Sequence, residues 1–270
     1  MYVRTRLGRL WVEERGVASR EGAPAIVLWH SLLCDGGMWR GQVGPLSALG
    51  RVIVFDGPGH GRSDVPEPFD LRENVAAIGD ALDALRVDRA IWIGLSWGGM
   101  VGMRLALAHP RRVAALALMD TAARKDTRLR RLRYAALAMV VRPAGLPRGL
   151  FDAQIAPKMF APRTLRERPE LADELYERLS SRDPTGIGRV AIAVTVTRDD
   201  IEPALTGIRC PTLVLHGDED RALPLSWGRA IADRIPGARM AVIRGAGHLA
   251  ALEQPDAVNA ELIPFVREHL

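Results

Sequence analysis

The chain holds only two cysteines, Cys34 and Cys210, far apart in its 270 residues. They make no disulfide framework, which fits a reducing compartment. There is no Cys-x-x-Cys pair, and the six histidines are scattered, so metal-ligand spacing is absent and no metal site is expected. Lysine is nearly missing: Lys125 and Lys158 are the only two, so the net charge of +5 rests on arginine. With no nucleic-acid-binding motif beside it, that bias reads as genome composition and no nucleic-acid partner is expected. No run approaches the roughly 18 to 20 apolar residues of a membrane span, so stable membrane insertion is not expected. The first residues, MYVRTRLGRLWVEERG, alternate charged and apolar side chains and contain no apolar signal-peptide core. The expected location is cytoplasmic.

What is present is an ordinary globular composition, 48% apolar and 26% charged, long enough for one large α/β domain or a domain with an insertion. Strand-like runs fall at 2–5 and 9–14, a hairpin around Gly8, and then at 25–30, 51–56, 90–94, 113–119, 211–216 and 239–243. Helical patterns at 71–86, 97–109, 225–235 and 255–268 lie between many of them. That alternation predicts a mainly parallel sheet covered on both faces. No internal repeat is visible. From about 123 to 205 the strand signal fades, and helical segments are divided by prolines at 143, 147, 157, 162, 169 and 184. Such an insertion would cap the C-terminal ends of the strands, where open α/β sheets bind ligands. The expected division is 1–122 core, 123–205 helical cap and 206–270 core. The insertion opens RKDTRLRRLRYAALAMVVR, basic and then apolar. Of a membrane-surface helix and a core-packing one, the second is expected, with arginines in solvent and Leu132, Leu137, Met139 and Val140 on the core.

The stretch IWIGLSWGGMVGMRLALAHP places Ser96 between a buried-strand pattern and a helical one that Pro110 limits. A strand-to-helix turn this tight strains the serine's backbone, so the residues two positions away must be small, and Gly94 and Gly98 are. The turn points the hydroxyl outward and leaves the next amide, that of Trp97, at a helix N-terminus. A serine hydroxyl needs a base within hydrogen-bond reach and an acid to orient that base. TLVLHGDEDRALP offers Asp218, Glu219 and Asp220 after one strand, and AVIRGAGHLA offers His248 after another. Asp120, after the strand that follows Ser96, is a further candidate acid.

Four motifs together resemble the α/β-hydrolase-fold serine hydrolases: HSLLCDGGMW at 30–39, FDGPGHGRS at 55–63, GLSWGG at 94–99, and the pair HGDEDRALP and GAGHLA. The resemblance covers essentially the whole chain outside the cap. It implies an α/β-hydrolase fold, with a mainly parallel eight-stranded sheet and helices on both faces. It implies a triad of Ser96, Asp220 and His248, because the family's acid ends a Gly-x-x-Asp turn with proline four residues on, here Gly217, Asp220 and Pro224. His60 then takes a structural place in its loop. His109, His216 and His269, at a helix end, a strand end and the tail, are not expected to act as the base. The family's second oxyanion amide follows a His-Gly pair; here the pair is His30-Ser31, so Leu32 would donate beside Trp97. The C-terminal part, IPGARMAVIRGAGHLAALEQPDAVNAEL, is similar to that of 3-oxoadipate enol-lactonases.

The expected activity is hydrolysis of a small-molecule carboxylic ester or lactone through an acyl-serine, with no cofactor, by a monomer or homodimer. Enol-lactone hydrolysis, carbon–carbon bond hydrolysis and cofactor-free perhydrolysis use the same triad. A ligand receptor on the same scaffold is the non-enzymatic alternative. Trp97 is expected either to pack beneath the cap or to line the pocket. Met139, Met159 and Phe160 are expected to roof it.

Overall fold

The computed structural model describes the backbone of residues 1–270 and the side chains of 1–136 and 145–270. Its centre is an eight-stranded sheet in the order β1-β2-β4-β3-β5-β6-β7-β8. The strands are β1 Tyr2–Thr5, β2 Gly8–Arg15, β3 Ala25–Trp29, β4 Val52–Phe55, β5 Ala90–Leu95, β6 Val113–Met119, β7 Thr212–Gly217 and β8 Arg239–Ile243. β2 runs antiparallel to β1 and β4, and every other pairing is parallel. All eight strands expected from the sequence are present.

The apolar runs of the central strands follow from burial on both faces. Val27, Trp29, Ile53, Phe55, Trp92, Leu116 and Val214 enter one core with the helices Leu71–Ala84, Trp97–Ala108 and Leu225–Arg234. Their neighbours Ile26, Leu28, Val52, Val54, Ile91, Ala115 and Leu213 enter a second core on the other face, with the helices Arg40–Ser47 and Pro255–His269. The period of two thus assigns each strand residue to a face. Helix Leu71–Ala84 starts where Asp70 and Glu73 form a reciprocal capping box.

Between β6 and β7 the described residues form helices and no strand, chiefly Arg128–Ala144, Glu170–Ser180 and Pro184–Ala191. The first of these faces a different way from the expected one. Leu132 is 68% exposed and Leu129 59%. The cause is polar. Arg130 turns inward to donate to Tyr134 Oη and to the Ala222 carbonyl at 2.9 and 2.7 Å. Helical spacing puts 130 and 134 on one face and turns 129 and 132 away from it. Leu137, Met139 and Val140 lie outside the described side chains. Among the described residues no helix is long and apolar enough to cross a membrane.

Candidate active site

Ser96 stands between β5 and the helix Trp97–Ala108 with φ 55° and ψ −108°. Few non-glycine residues occupy this left-handed region, and those that do cluster at functional sites. Both flanking glycines are obligatory. A Cβ on Gly94 would lie 2.2 Å from the backbone of Gly98, and one on Gly98 would lie 2.2 Å from the Trp29 carbonyl oxygen. Ser96 N donates to Met119 O at 2.8 Å, and Thr121 Oγ1 donates to Ser96 O at 2.6 Å. The strained turn is therefore held from β6 and the loop after it.

The expected acid and base are brought together. His248 Nδ1 lies 2.8 Å from Asp220 Oδ2, and both groups are buried. Asp220 Oδ1 accepts from the amides of Ala222 and Leu223 at 2.8 and 2.9 Å, which fixes the carboxylate plane. With a carboxylate as acceptor, Nδ1 carries the proton and Nε2 is left with its lone pair. Ser96 and His248 both line one cavity; no described hydrogen bond joins Ser96 Oγ to the imidazole.

Of the rival acids, Asp218 turns to the backbone of Gly245, and Asp120 lies behind Asp220. Asp120 Oδ1 accepts from Gly217 N at 2.7 Å, while its buried Oδ2 has no partner among the described residues. Burial, and then the adjacent Asp220, push the Asp120 carboxyl well above the usual carboxylate range. His216 Nε2 donates to the Leu223 carbonyl at 2.9 Å, pinning the loop that carries Asp220.

The loop after β3 is held by two neutral histidines. His30 Nε2 accepts from Gly57 N at 2.8 Å while its Nδ1 donates to Ser31 O at 2.7 Å. His60 Nδ1 donates to Pro58 O at 3.0 Å and its Nε2 accepts from Leu33 N at 3.4 Å. Burial pushes the two imidazoles down to about 4 and about 3. Ser31, where the resemblance leads one to expect glycine, avoids the left-handed region; Leu33 takes it, at φ 72°. No described hydrogen bond occupies the backbone N–H of Leu32 or of Trp97.

Trp97 packs and does not line the cavity. Its indole is fully buried, donates to Asn74 Oδ1 at 3.0 Å and meets Trp29 edge to face. Leu32, Met100, Ile155, Met159 and Leu223 supply apolar wall around Ser96. Phe160 departs from its expected place: it is 1% exposed in the core beside the loop of His248, behind the wall. Its carbonyl carbon would lie 2.7 Å from a Cβ on Gly247, so the backbone at Phe160 runs directly against the loop of His248. Met139 lies outside the described side chains. Glu253, Thr121 and Asn74 also shape the site; of the three only Glu253 belongs to a motif, the stretch after His248, and no local pattern marks Thr121 or Asn74.

Comparison with known proteins bears on the fold and the family. The chain is 30% identical to 3-oxoadipate enol-lactonase 1 of Acinetobacter baylyi over 247 residues, 92% of this chain and 90% of that protein. The structure of the enol-lactonase from Burkholderia xenovorans LB400 superposes with a TM-score of 0.89 at 31% identity, covering 98% of this chain and 99% of that one. A thermophilic esterase from Thermogutta terrifontis gives 0.90 at 29% identity, over 100% and 99% of the two chains. Residues 26–261 match the description of the alpha/beta hydrolase family, and with the sheet order, the strained Ser96 turn and these relatives the chain belongs to that family.

Proposed function

We propose that the protein is a serine hydrolase that cleaves a small carboxylic ester or lactone. Ser96 Oγ attacks the carbonyl carbon while His248 Nε2 takes its proton. Asp220 orients the imidazole and stabilises the imidazolium that forms. The amides of Leu32 and Trp97 receive the developing oxyanion. The alkoxide leaves with the proton from His248, and water deprotonated by the same nitrogen then releases the acid from the acyl-serine. This chemistry needs no metal or cofactor. The observation that carries the reading is the buried 2.8 Å contact of His248 Nδ1 with Asp220, on a histidine that lines the same cavity as Ser96 and whose other nitrogen has no partner among the described residues.

In this reading residues 123–205 are a cap that selects the substrate, with Met159 in the wall and Met139 assigned there from sequence alone. The likeness to enol-lactonases in both sequence and structure favours lactones among the substrates. Carbon–carbon bond hydrolysis and perhydrolysis would use the same groups. A receptor would require neither a strained serine nor an oriented base. Both cysteines are unpaired, in keeping with a cytoplasmic setting. The test is turnover of p-nitrophenyl acetate and of a panel of short esters, lactones and dienoic ketones by the parent and by Ser96→Ala. Loss of all turnover in a folded Ser96→Ala is expected; retained turnover would remove Ser96 from the reaction.

A further inference from the structure

A carboxyl group with no ion pair among the described residues lies 1% exposed behind the loop of His248. It belongs to Glu253. Its Oε1 accepts from Gly247 N at 2.9 Å, the residue next to the imidazole. Its Oε2 accepts from Ala161 N at 2.8 Å and from Thr164 Oγ1 at 2.6 Å, both in the helical segment between β6 and β7. On the other side of His248, Leu249 N donates to Met159 O at 3.1 Å. A Cβ on Gly247 would stand 2.5 Å from Ala161 N and 2.9 Å from Glu253 Oε1, so the two strands of chain are in direct contact. Burial pushes the Glu253 carboxyl above the usual range, and the bonds from Thr164, Ala161 and Gly247 pull it back down.

A buried carboxyl group without a cation is costly unless hydrogen bonds satisfy both of its oxygens. Here both oxygens accept, one from each side. An amide cannot replace it, because its NH₂ would face an N–H or an O–H donor on one arm or the other. The residues flanking His248 are therefore both fastened to 159–164, and Met159 also lines the cavity. A substrate that presses on Met159 thus pushes on the backbone that holds the imidazole.

We propose that Glu253 is a positioning residue for His248, and that it makes residues 159–164 part of the mount that aims the imidazole at Ser96. The inference rests on the reading of His248 as the base. It assigns the helical segment a part in the chemistry as well as in selecting the substrate. Misplacing a catalytic group by about 1 Å can cost on the order of 100-fold in rate.

The experiment compares Glu253→Gln and Thr164→Val with the parent. It measures kcat, KM and the pH profile with p-nitrophenyl acetate, melting temperature, and amide hydrogen exchange over 245–252. Glu253→Gln should lower kcat about 10- to 100-fold, and Thr164→Val should lower it less. KM should be little changed, the pH profile displaced, and exchange at 245–252 faster in both. A lower melting temperature with parental kcat, pH profile and exchange at 245–252 would make Glu253 a packing residue and overturn the proposal. If Glu253→Gln does not fold, Thr164→Val decides by the same criteria. His248→Asn and Ser96→Ala separate the role of the base from that of its mount. Parental turnover in those variants overturns the base assignment and this proposal with it. Their inactivity alongside parental Glu253→Gln and Thr164→Val overturns this proposal alone.

Discussion

Amidating each of the two buried aspartates near His248 should have very unequal consequences, and the hydrogen bonds say why. In Asp220→Asn the side-chain oxygen is claimed by the amides of Ala222 and Leu223, which approach at 2.8 and 2.9 Å. The NH₂ must then take the place of Oδ2, 2.8 Å from His248 Nδ1. Two donors cannot face each other there, so the imidazole switches to the tautomer with its proton on Nε2. That nitrogen then has no lone pair with which to take the Ser96 proton. In triads whose acid is amidated this costs about 10⁴ in kcat, or roughly 5 kcal/mol of transition-state stabilisation. In Asp120→Asn the oxygen stays on Gly217 N, and the NH₂ replaces an Oδ2 that has no described partner. Burial, and then the adjacent Asp220, already disfavour the charged form of that carboxyl, so the amide replaces it with nearly the same shape and without the charge its site disfavours. The expected change in kcat is within about threefold, less than 1 kcal/mol. Steady-state kinetics with p-nitrophenyl acetate on both folded variants is the assay. A collapse in Asp120→Asn with near-parental Asp220→Asn would refute the assignment of the acid.

Three further outcomes follow from the packing and the charges. Gly98→Ala should not yield folded protein, or should yield protein with no turnover, because its Cβ would lie 2.2 Å from the Trp29 carbonyl oxygen; a soluble variant with parental circular dichroism and kcat would contradict that contact. Phe160→Ala should cost about 3 to 5 kcal/mol of stability with unchanged ratios of kcat/KM over acetate, butyrate and hexanoate esters, whereas Met159→Ala should shift those ratios by about 1 to 3 kcal/mol; interchanged results would put Phe160 in the wall. His30 and His60 are held down to about 4 and about 3 in the folded state, so below the unfolded value near 6.5 the unfolded chain binds more protons. Stability from this source is then lost as pH falls from about 6.5 toward 4, by a few kcal/mol. Buried acids such as Asp120 act in the opposite direction, so urea denaturation at pH 7.5 and 5 should be compared between parent and His60→Asn, which should lose less; an equal loss would contradict the buried neutral imidazole.

The strands were legible because burial on both faces writes itself into short apolar runs, and the Ser96 turn because its two small neighbours are a steric necessity close in sequence. Strand order was not, since β4 pairing between β2 and β3 is a contact between distant segments. The motif resemblance singled out Asp220 from a loop with three acids, and no local pattern in HGDED separates them. The helix Arg128–Ala144 was misjudged for a related reason. Its apolar residues suggest which face should be buried, but Arg130 finds its acceptor on Ala222, ninety-two positions away. Phe160, expected in the roof, and Glu253, not singled out at all, show the same limit. The burial of the ring in the core and the carboxyl's place behind His248 are contacts between distant segments, 159–164 and 247–253, which no periodicity records.

The central claim is that Ser96 forms the acyl intermediate with His248 as its base. It is tested most directly by mixing enzyme with p-nitrophenyl acetate, quenching in acid within milliseconds, and locating the acetyl group by peptide mass. The account predicts one acetyl group per chain on the peptide that contains Ser96, absent from Ser96→Ala and formed far more slowly in His248→Asn. An acetyl group on another residue, or parental turnover by Ser96→Ala with no acyl-enzyme, would contradict it.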